Sequence, residues 1–432
     1  MTKRAWVLVL LNVVIPGSAQ VLAGNRRLGR WGLASTLVFW ALAVAALVSA
    51  LLFRTLLFDI ATNTIALTVV QVFLVYYAAL WLVLTVDTLR LVRIIRTTPR
   101  ARGLIAGVMV VLMVATVGPA AYGAYITGVQ HGLLNSLFSS KAQVAAPVDG
   151  RYNILLLGGD AGADRTGLRP DSISIASIDA ETGQTTIIGV PRNLYNSPFV
   201  SGSPLYEKYP NGYTCGDDCL VSFLYTYGEE HPDLYPDAEK KGSNAGVEAM
   251  RDAIEGVTGL TIQYYALIDM QGFVDLIDAL GGITVDVKTR IPINGGVDKA
   301  GNPINVDGWI EPGTQKLDGY HALWYARARH GSDDYHRMER QREVQQQVLA
   351  QFQPATVLAK FQSVANAGAQ TVKTDIPQGA LSAFVDLAIK AKGQPVTSLE
   401  LVPPTYSNLH PDFDAMRAAV KAATVSSATS GP

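Results

Sequence analysis

Three long apolar stretches near the start of the chain limit what it can fold into. Residues 31–53, 60–86 and 103–130 contain no Asp, Glu, Lys or Arg, and each is long enough to cross the roughly 30 Å hydrocarbon layer of a bilayer as a helix. Charged residues make up only 16% of the 432 residues, against about 25% in a typical soluble domain. We therefore predict that residues 1–130 form an all-α membrane region with three transmembrane helices.

Basic residues predict how these helices are oriented. The loop before the first stretch and the loop between the second and third are rich in arginine, whereas the loop between the first and second has Arg54 with Asp59 as its counter-charge. Cytoplasmic loops carry an excess of Lys and Arg, so the two Arg-rich loops are expected in the cytoplasm. Three crossings then place everything after residue 130 on the outer side. The predicted location is the cell membrane, as a multi-pass protein with an extracytoplasmic C-terminal domain.

A fourth apolar segment, residues 6–22, differs from the other three. It contains Asn12, Pro16, Gly17 and Gln20, and basic residues flank it on both sides. Because both flanks favour the cytoplasm, the segment is predicted to be an interfacial or re-entrant hairpin rather than a fourth crossing.

The pattern changes after a polar linker, residues 131–150, which is rich in small residues. Short strand-like runs then alternate with helical ones, as at 264–268, 270–280 and 283–287. This succession predicts an α/β fold with a central mixed sheet covered by helices over residues 151–405. Residues 406–432 are predicted to form a flexible tail.

Two cysteines lie close together in this exported part, within the sequence CGDDC. A disulfide between Cys215 and Cys219 is expected outside the cell. A zinc site would need two further soft ligands, and the neighbouring sequence supplies none.

Acidic and basic residues follow or precede the first three predicted strands, which are residues 152–157, 172–179 and 185–190. Asp160 lies in a glycine loop after the first strand, Asp171 and Arg169 directly precede the second, and Arg192 follows the third. A single aspartate at such a position usually serves a turn. Two carboxylates on adjacent loops at one sheet edge, with an arginine between them, favour a magnesium site. Lys208, further along, has the ordinary alternative of a solvated side chain.

Arginines are concentrated between residues 318 and 344. Arg327 and Arg329 follow an apolar run, and Asp334, Arg337 and Gln341 are spaced to share one helix face. Arginine binds phosphate oxygens through two parallel hydrogen bonds, so the cluster suits a ligand with more than one phosphate. For the neighbouring set of Arg340, Arg342 and Glu343 a solvated helix face is the favoured interpretation.

The sequence lacks the motifs of several other kinds of catalytic or nucleotide-binding site. The sequence has no G-x-S-x-G motif, no Walker-type loop and no H-E-x-x-H motif. Its formal net charge of −1 argues against a nucleic-acid partner, which requires a basic face. Phosphate chemistry without an evident covalent nucleophile is what remains.

Residues 152–348 resemble the LytR–CpsA–Psr family of cell-wall ligases. The matching stretches occur in the family's order: NILLLGGD, RPDS, VPRN, the K-x-x-N at 208–211, the block VTGLTIQYYALIDMQGFVDLIDALGGITVDV, LDGYHALWYARAR and SDDYHRMERQ. Two features depart from the family pattern: Asn193 stands where the family usually has Asp, and CGDDC interrupts the loop beyond Lys208.

The resemblance implies an αβα catalytic domain that takes a glycopolymer from a polyprenyl-pyrophosphate carrier and joins it to peptidoglycan through a phosphodiester. It implies that Asp160 and Asp171 hold Mg²⁺. It also implies that a set of basic and polar side chains grips the pyrophosphate, namely Arg169, Arg192, Lys208, Arg327, Arg329, Arg337 and Gln341. Five arginines are the expected catalytic residues: Arg169, Arg192, Arg327, Arg329 and Arg337. Asp334 is expected either to accept the proton of the incoming hydroxyl or to orient Arg337.

Two alternatives stay open beside this transferase. One is a polyprenyl-pyrophosphate phosphatase that uses water as the acceptor, and the other is a non-enzymatic regulator or scaffold of the cell envelope. A further open point concerns six apolar residues, which could line a prenyl groove but at helical spacing are more often plain core. They are Val247, Met250, Ile254, Phe273, Val274 and Ile277.

Overall fold

The protein was analysed as a computed structural model. It describes residues 2–93, 95, 97–138, 144–160, 168–216, 219–299, 302–328, 334–351, 372–391 and 394–425. The chain divides into two compact units, Met1–Leu134 and Asn135–Pro432.

The first unit is helical. Its described helices are α1 (Thr2–Val14), α2 (Ser18–Ala23), α3 (Arg26–Leu52), α4 (Arg54–Thr62), α5 (Thr64–Val92) and α6 (Pro99–Leu137). Three stretches within α3, α5 and α6 are long and apolar enough to cross a membrane: Arg26–Ser49, Thr64–Val92 and Ala101–Gly132. Membrane anchoring by this unit agrees with the sequence prediction.

The second of these stretches begins later than the predicted residue 60. Asn63 separates α4 from α5, and its side chain accepts a hydrogen bond from the Ala66 amide at 3.0 Å. A polar side chain that caps a new helix in this way also ends the helix before it. The helix α6 likewise extends to Leu137, into the segment predicted as a linker.

Residues 6–22 form the two arms of a helical hairpin, α1 and α2. Gly17 makes the turn with a positive φ of 99°, a conformation that glycine adopts without steric cost. The side chain of Gln20 is buried and donates hydrogen bonds to the Leu84 carbonyl at 2.8 Å and to Thr88 Oγ1 at 2.9 Å. The hairpin is therefore attached to α5 through buried polar contacts.

The second unit is built on a mixed sheet, as the sequence predicts. Its described strands are β1 (Arg151–Asp160), β2 (Arg169–Asp179), β3 (Thr185–Val190), β4 (Tyr264–Asp269), β5 (Ile283–Val287), β6 (Ile291–Ile293), β7 (Gly296–Val297), β8 (Pro303–Ile304), β9 (Gly308–Ile310), β10 (Gly313–Leu317), β11 (Val372–Thr374) and β12 (Thr397–Glu400). The main sheet has the order β11-β4-β1-β2-β3-β12. In it β1 pairs with β4 and β3 with β12 in parallel, while the other pairs are antiparallel.

Helices cover both faces of this sheet. The helices described in this unit are α7 (Pro204–Lys208), α8 (Leu224–Glu230), α9 (Ala245–Thr258), α10 (Met270–Leu280), α11 (Gly319–Arg327), α12 (Asp334–Gln351), α13 (Leu381–Ala391) and α14 (Phe413–Ala423). Side chains alternate along a strand, so Leu155 and Leu157 of β1 enter a core that also contains Val247 and Met250 of α9.

A second, smaller core lies beside the sheet. It joins α10 and α11 to the short strands β5, β6, β9 and β10, with Ile277, Val285 and Tyr325 among its buried members. The sequence left six apolar residues as either the lining of a prenyl groove or part of the core. Four of them belong to the two cores, namely Val247, Met250, Ile254 and Ile277.

The predicted disulfide is present. Cys215 and Cys219 are bonded, with their Cα atoms 5.2 Å apart, in the segment between α7 and α8.

The prediction of a flexible tail from residue 406 is wrong for Phe413–Ala423. This segment is α14, which begins at the N-cap Asp412, whose side chain accepts a hydrogen bond from the Ala415 amide at 3.0 Å. Met416 and Val420 are one helical turn apart and fully buried in the main core. The polar and alanine-rich composition of this segment conceals its short apolar face.

Truncation of Met416 tests the place of α14 in the fold. We expect Met416→Ala to lower the free energy of unfolding by about 2 to 5 kcal/mol, because it leaves a cavity in the core. Thermal unfolding of the detergent-solubilised full chain measures the change. The control Lys421→Ala removes an exposed side chain from the same helix and should leave the melting temperature unchanged; equal melting temperatures for all three proteins would contradict the assignment.

Candidate active site

A cavity of about 490 Å³ lies between the main sheet and the helices α10, α11 and α12. Its walls are mostly apolar. The sheet contributes Ile154, Leu156, Ala176, Ile178, Ile187, Ala266 and Ile268, and the helices contribute Met270, Phe273, Leu276, Leu323, Ala326, Val344, Val348 and Leu349. Gly158, Ala176 and Ala266 are small residues among the larger ones on this face of the sheet. A cavity with such walls suits a hydrocarbon chain.

Charged and polar side chains line the cavity together with these apolar walls. They are Asp171, Arg327, Arg337 and Gln341. The sequence predicts all four as site residues, and they come from β2, α11 and α12. The structure therefore brings residues that are up to 170 positions apart in the chain (341 − 171) to one cavity.

A β-bulge places Asp171 at the cavity. Gly158 of β1 pairs with Ser172, but the next residue, Gly159, pairs with Pro170, so Asp171 is the extra residue of β2. Simple alternation would send Asp171 and Ser172 to opposite faces of the sheet. The bulge re-aims the side chain, and both residues line the cavity.

Arg192 connects two carboxylates at this place. It follows β3, its Nη1 donates a hydrogen bond to Asp171 Oδ1, and its Nε lies 3.8 Å from Asp334 Oδ2. Asp334 Oδ2 also accepts a hydrogen bond from Arg337 Nη2 at 3.0 Å. Arg337 is almost fully buried, with 2% of its side chain exposed. The alternation of two carboxylates with two guanidinium groups keeps both arginines in place.

Arg327 occupies the last turn of α11. Its guanidinium lies 5.5 Å from the centroid of the Trp324 ring and within 2.9 Å of Met270 Sδ. Arg327 also lines the cavity.

The start of α12 fixes the end of α11. Arg340 Nε donates to the Tyr325 carbonyl at 2.7 Å, its Nη2 donates to the Ala328 carbonyl, and Gln341 Nε2 donates to the Ala326 carbonyl at 3.2 Å. These are the carbonyl groups that the end of a helix leaves without partners. The three bonds therefore hold the turn that carries Arg327.

The interpretation of Arg340 and Arg342 as part of a solvated helix face is wrong. Both are buried, at 8% and 4% exposed. Arg342 forms an ion pair with Glu400, which adjoins β3 through the pairing of β12. Arg337 and Arg340 are three residues apart and share one face of α12, whereas the burial of Arg342 depends on Glu400, which is distant in the chain.

Two of the predicted pyrophosphate ligands lie elsewhere. Arg169 is exposed and lies over the Phe223 ring, 4.3 Å from its centroid, and Lys208 lies over the Tyr227 ring at 5.1 Å. Neither lines the cavity, and a role for them at the pyrophosphate stays a prediction. Arg329 lies outside the described residues.

Asp171 is the described residue that could hold Mg²⁺ at this cavity. Its carboxylate lines the cavity and is 26% exposed, and Mg²⁺ is typically bound through one or two carboxylates together with phosphate oxygens. Asp160 ends β1 opposite Arg169, and its side chain is outside the described part of the chain. Among the described residues no group of three or more His, Cys, Asp or Glu could hold a metal ion. These residues agree with a site in which Asp171 and the phosphate oxygens of the ligand would together hold the ion.

Comparisons with known proteins support one family. A sequence model of the LytR_cpsA_psr family matches residues 134–410. Biofilm regulatory protein A of Streptococcus mutans is 28% identical over 231 residues, which cover 52% of this chain and 50% of that protein. Cell wall biosynthesis protein LcpA of Corynebacterium glutamicum is 28% identical over 332 residues, 70% of this chain and 61% of that protein.

A third relative has a more specific name. The Enterococcus faecalis protein named polyisoprenyl-teichoic acid–peptidoglycan teichoic acid transferase TagU is 26% identical over 281 residues, 63% of this chain and 78% of that protein. The chain spans only half of the Streptococcus protein and about three fifths of LcpA.

Removal of the Arg340 donors tests how Arg327 is held. We expect Arg340→Met to lower the free energy of unfolding by about 1 to 3 kcal/mol, because two buried carbonyl groups lose their donors. Hydrogen–deuterium exchange should also show reduced protection around Ala328, whose amide bonds to the Trp324 carbonyl. The control Arg290→Met changes an arginine that is half exposed and paired with Glu311. Unchanged exchange at Ala328 in Arg340→Met would show that α11 ends without help from α12.

Proposed function

This chain belongs to the LytR_cpsA_psr family, and we propose that it is a membrane-anchored phosphotransferase. Its substrate would be a glycopolymer on a polyprenyl-pyrophosphate carrier, and its acceptor peptidoglycan. The proposal is supported by the name of the Enterococcus relative, a teichoic acid transferase acting between a polyisoprenyl carrier and peptidoglycan. The three apolar helices support the membrane anchor.

One observation carries the proposal: a single cavity has both apolar walls and arginines. Phe273 and Leu323 line it together with Arg327 and Arg337. A polyprenyl diphosphate has the same two parts, a hydrocarbon chain and a head with several negative charges. Arginine forks match phosphate oxygens through paired hydrogen bonds, so the head would lie against Arg327, Arg337 and Arg192 while the chain fills the cavity.

The reaction needs charge neutralisation and positioning more than a covalent intermediate. A hydroxyl oxygen of the acceptor attacks the phosphorus that carries the glycopolymer, and a new P–O bond forms. The bond from this phosphorus to the bridging oxygen breaks, and polyprenyl phosphate leaves with that oxygen. The hydroxyl proton passes to solvent, and the glycopolymer is then joined to the acceptor through a phosphodiester.

The chain's own residues act on the charge that develops on the phosphoryl oxygens. Arg327 and Arg337 would stabilise the diphosphate oxygens, and a buried preorganised donor is more effective than one in water. Asp334 accepts hydrogen bonds from Arg337 and lies near Arg192, so we assign it to orienting these arginines.

A divalent cation would complete this site. Mg²⁺ held by Asp171, with Asp160 from the end of β1, would offset the negative charge of the diphosphate. Arg192 would then exchange its contact with Asp171 for one with the ligand. This dependence on Mg²⁺ is part of the proposal.

Location follows from the charge pattern of the first unit. The arginines around α3 and between α5 and α6 favour the cytoplasm, so we propose a multi-pass anchor with the second unit outside. Peptidoglycan and a lipid-linked glycopolymer would both be available there, and the proposal includes no nucleic-acid partner.

Substitution of the arginines tests the proposal. We expect Arg327→Ala and Arg337→Ala to reduce transfer by roughly two to three orders of magnitude, as for other buried donors to developing charge. The full chain in nanodiscs receives a prenyl-pyrophosphate-linked saccharide and a peptidoglycan acceptor, and mass spectrometry measures the joined product. Arg290→Ala, outside the cavity, is the control.

The outcomes separate the candidate functions. Joined product that depends on Arg327 and Arg337 supports the transferase. Release of saccharide phosphate without joined product would indicate the phosphatase. Full transfer by both arginine variants would refute the site, and no turnover of any kind by the wild-type chain would favour a regulator or scaffold.

A further inference from the structure

A further carboxylate lines the cavity beside the residues that the sequence predicts. Asp269 is the last residue of β4 and the N-cap of α10. Its Oδ1 accepts a hydrogen bond from the Gly272 amide at 2.8 Å, which fixes the side chain at the start of the helix. Among the described residues, no donor lies within hydrogen-bond distance of its other oxygen, Oδ2. The fold therefore uses one oxygen of this half-buried carboxylate and leaves the second available to a ligand.

The packing of α10 on α11 places Asp269 at the same end of the cavity as Arg327. Near the end of α10, Asp278 Oδ1 accepts a hydrogen bond from the Gly319 amide, at the start of α11, at 2.7 Å. At the start of α10, Met270 Sδ lies 2.9 Å from Arg327 Nη1, at the end of α11. The two helices are therefore antiparallel. Asp269 directly precedes Met270, so it lies beside the turn that carries Arg327.

The main sheet brings Asp269 near Asp171 as well. Strand β1 lies between β4 and β2, and its Gly159 pairs with Asp269 on one side and with Pro170 on the other. Neighbouring strands are about 4.8 Å apart, so β4 and β2 are separated by about 10 Å. The residues of β1 between the two carboxylates are Gly158 and Gly159, which have no side chains to separate them. The two aspartates thus line one cavity from the strands on either side of a glycine pair.

The carboxylates at this end of the cavity differ in their partners. Asp171 accepts a hydrogen bond from Arg192, and Asp334 accepts one from Arg337. In the part of the chain that the structure describes, Asp269 forms no ion pair. A carboxylate without a basic partner can accept a hydrogen bond from a hydroxyl group without breaking an ion pair. This property makes Asp269 different from the two aspartates that hold arginines in place.

We infer that Asp269 is the general base that accepts the proton of the acceptor hydroxyl. The inference rests on the proposed function, in which that hydroxyl oxygen attacks the phosphorus that carries the glycopolymer. As the new P–O bond forms, the O–H bond breaks and its proton moves to Asp269 Oδ2. The bridging oxygen leaves with polyprenyl phosphate, and the protonated carboxyl group then releases its proton to solvent. Oδ1 stays on the Gly272 amide throughout, so the base keeps the orientation that proton transfer requires.

The variant Asp269→Asn separates the base from the helix cap. Asparagine caps helices as well as aspartate does, so the melting temperature should not change, but an amide cannot take up the proton. We expect kcat for transfer to fall by roughly two to four orders of magnitude, the range for loss of a general base. The assay uses the full chain in nanodiscs with the lipid-linked saccharide and the peptidoglycan acceptor. The matched control Asp412→Asn changes the N-cap of α14, which holds the Ala415 amide, and should transfer at the wild-type rate.

Binding of geranylgeranyl pyrophosphate in the presence of Mg²⁺ distinguishes a base from a residue that holds the diphosphate. Asp269→Asn should bind this probe at least as tightly as the wild-type chain, because it removes a negative charge near the diphosphate. Arg337→Ala should bind it more weakly. Weaker binding by Asp269→Asn, or recovery of its transfer when the Mg²⁺ concentration is raised, would make Asp269 a metal ligand and overturn the inference.

Chemical rescue supplies a readout that a purely structural role would not produce. Asp269→Ser keeps a side-chain oxygen for the helix cap and leaves space for a small carboxylate. Sodium formate should restore part of the transfer by this variant, because formate can accept the proton in place of the missing side chain. Sodium chloride at the same ionic strength should restore none, and equal effects of the two salts would count against a base at this position.

Failure of this inference and failure of the proposed function give different results. A wild-type kcat in Asp269→Asn, with transfer still lost in Arg337→Ala, overturns the role of Asp269 and leaves the transferase intact. Absence of transfer by the wild-type chain contradicts the proposed function, and the inference that rests on it falls as well.

Discussion

The ion-pair cluster of Asp171, Arg192, Asp334 and Arg337 is the contact on which the candidate site depends. It joins the bulge of β2, the segment after β3 and the first turns of α12. Buried charges are stable only when paired, so the nearly buried Arg337 requires Asp334. The cluster therefore fixes α12 over the sheet and leaves two guanidinium groups beside the cavity.

The two faces of the main sheet differ in how they are filled, and this difference produces the cavity. Toward α9 the strands present Leu155, Leu157 and Ile175, which pack in a closed core. Toward α12 the strands present Ala176 and Ala266 together with Ile154, Leu156 and Ile178, and these residues line the cavity instead of a closed core. Empty apolar space costs stability, so a fold that maintains about 490 Å³ of it is one suited to receive an apolar ligand.

Sequence patterns predicted the parts of this architecture that have local signals. Charge-free stretches predicted the long helices, and apolar or alternating runs of residues predicted β1 to β4 with small errors at their ends. Contacts between distant residues had no such signal: the burial of Arg342 depends on Glu400, and that of α14 depends on a core assembled from β1, β2 and α9. Asp171 was identified as a site residue, but its orientation depends on a bulge that a single sequence does not reveal. Arg169 and Lys208 are basic residues near the site in the sequence. Only the coordinates show that these side chains lie over aromatic rings and do not line the cavity.

Photo-crosslinking tests the central claim most directly, namely that one cavity holds the hydrocarbon chain of a lipid diphosphate whose head lies at the arginines. A prenyl pyrophosphate with a diazirine on its chain is bound to the full chain in nanodiscs, irradiated, and mapped by peptide mass spectrometry. The predicted result is labelling of peptides that contain Phe273, Leu323 and Val348, competed by unlabelled geranylgeranyl pyrophosphate and absent in Arg337→Ala. Labelling that is confined to the first unit, or that persists unchanged in Arg337→Ala, would contradict the account.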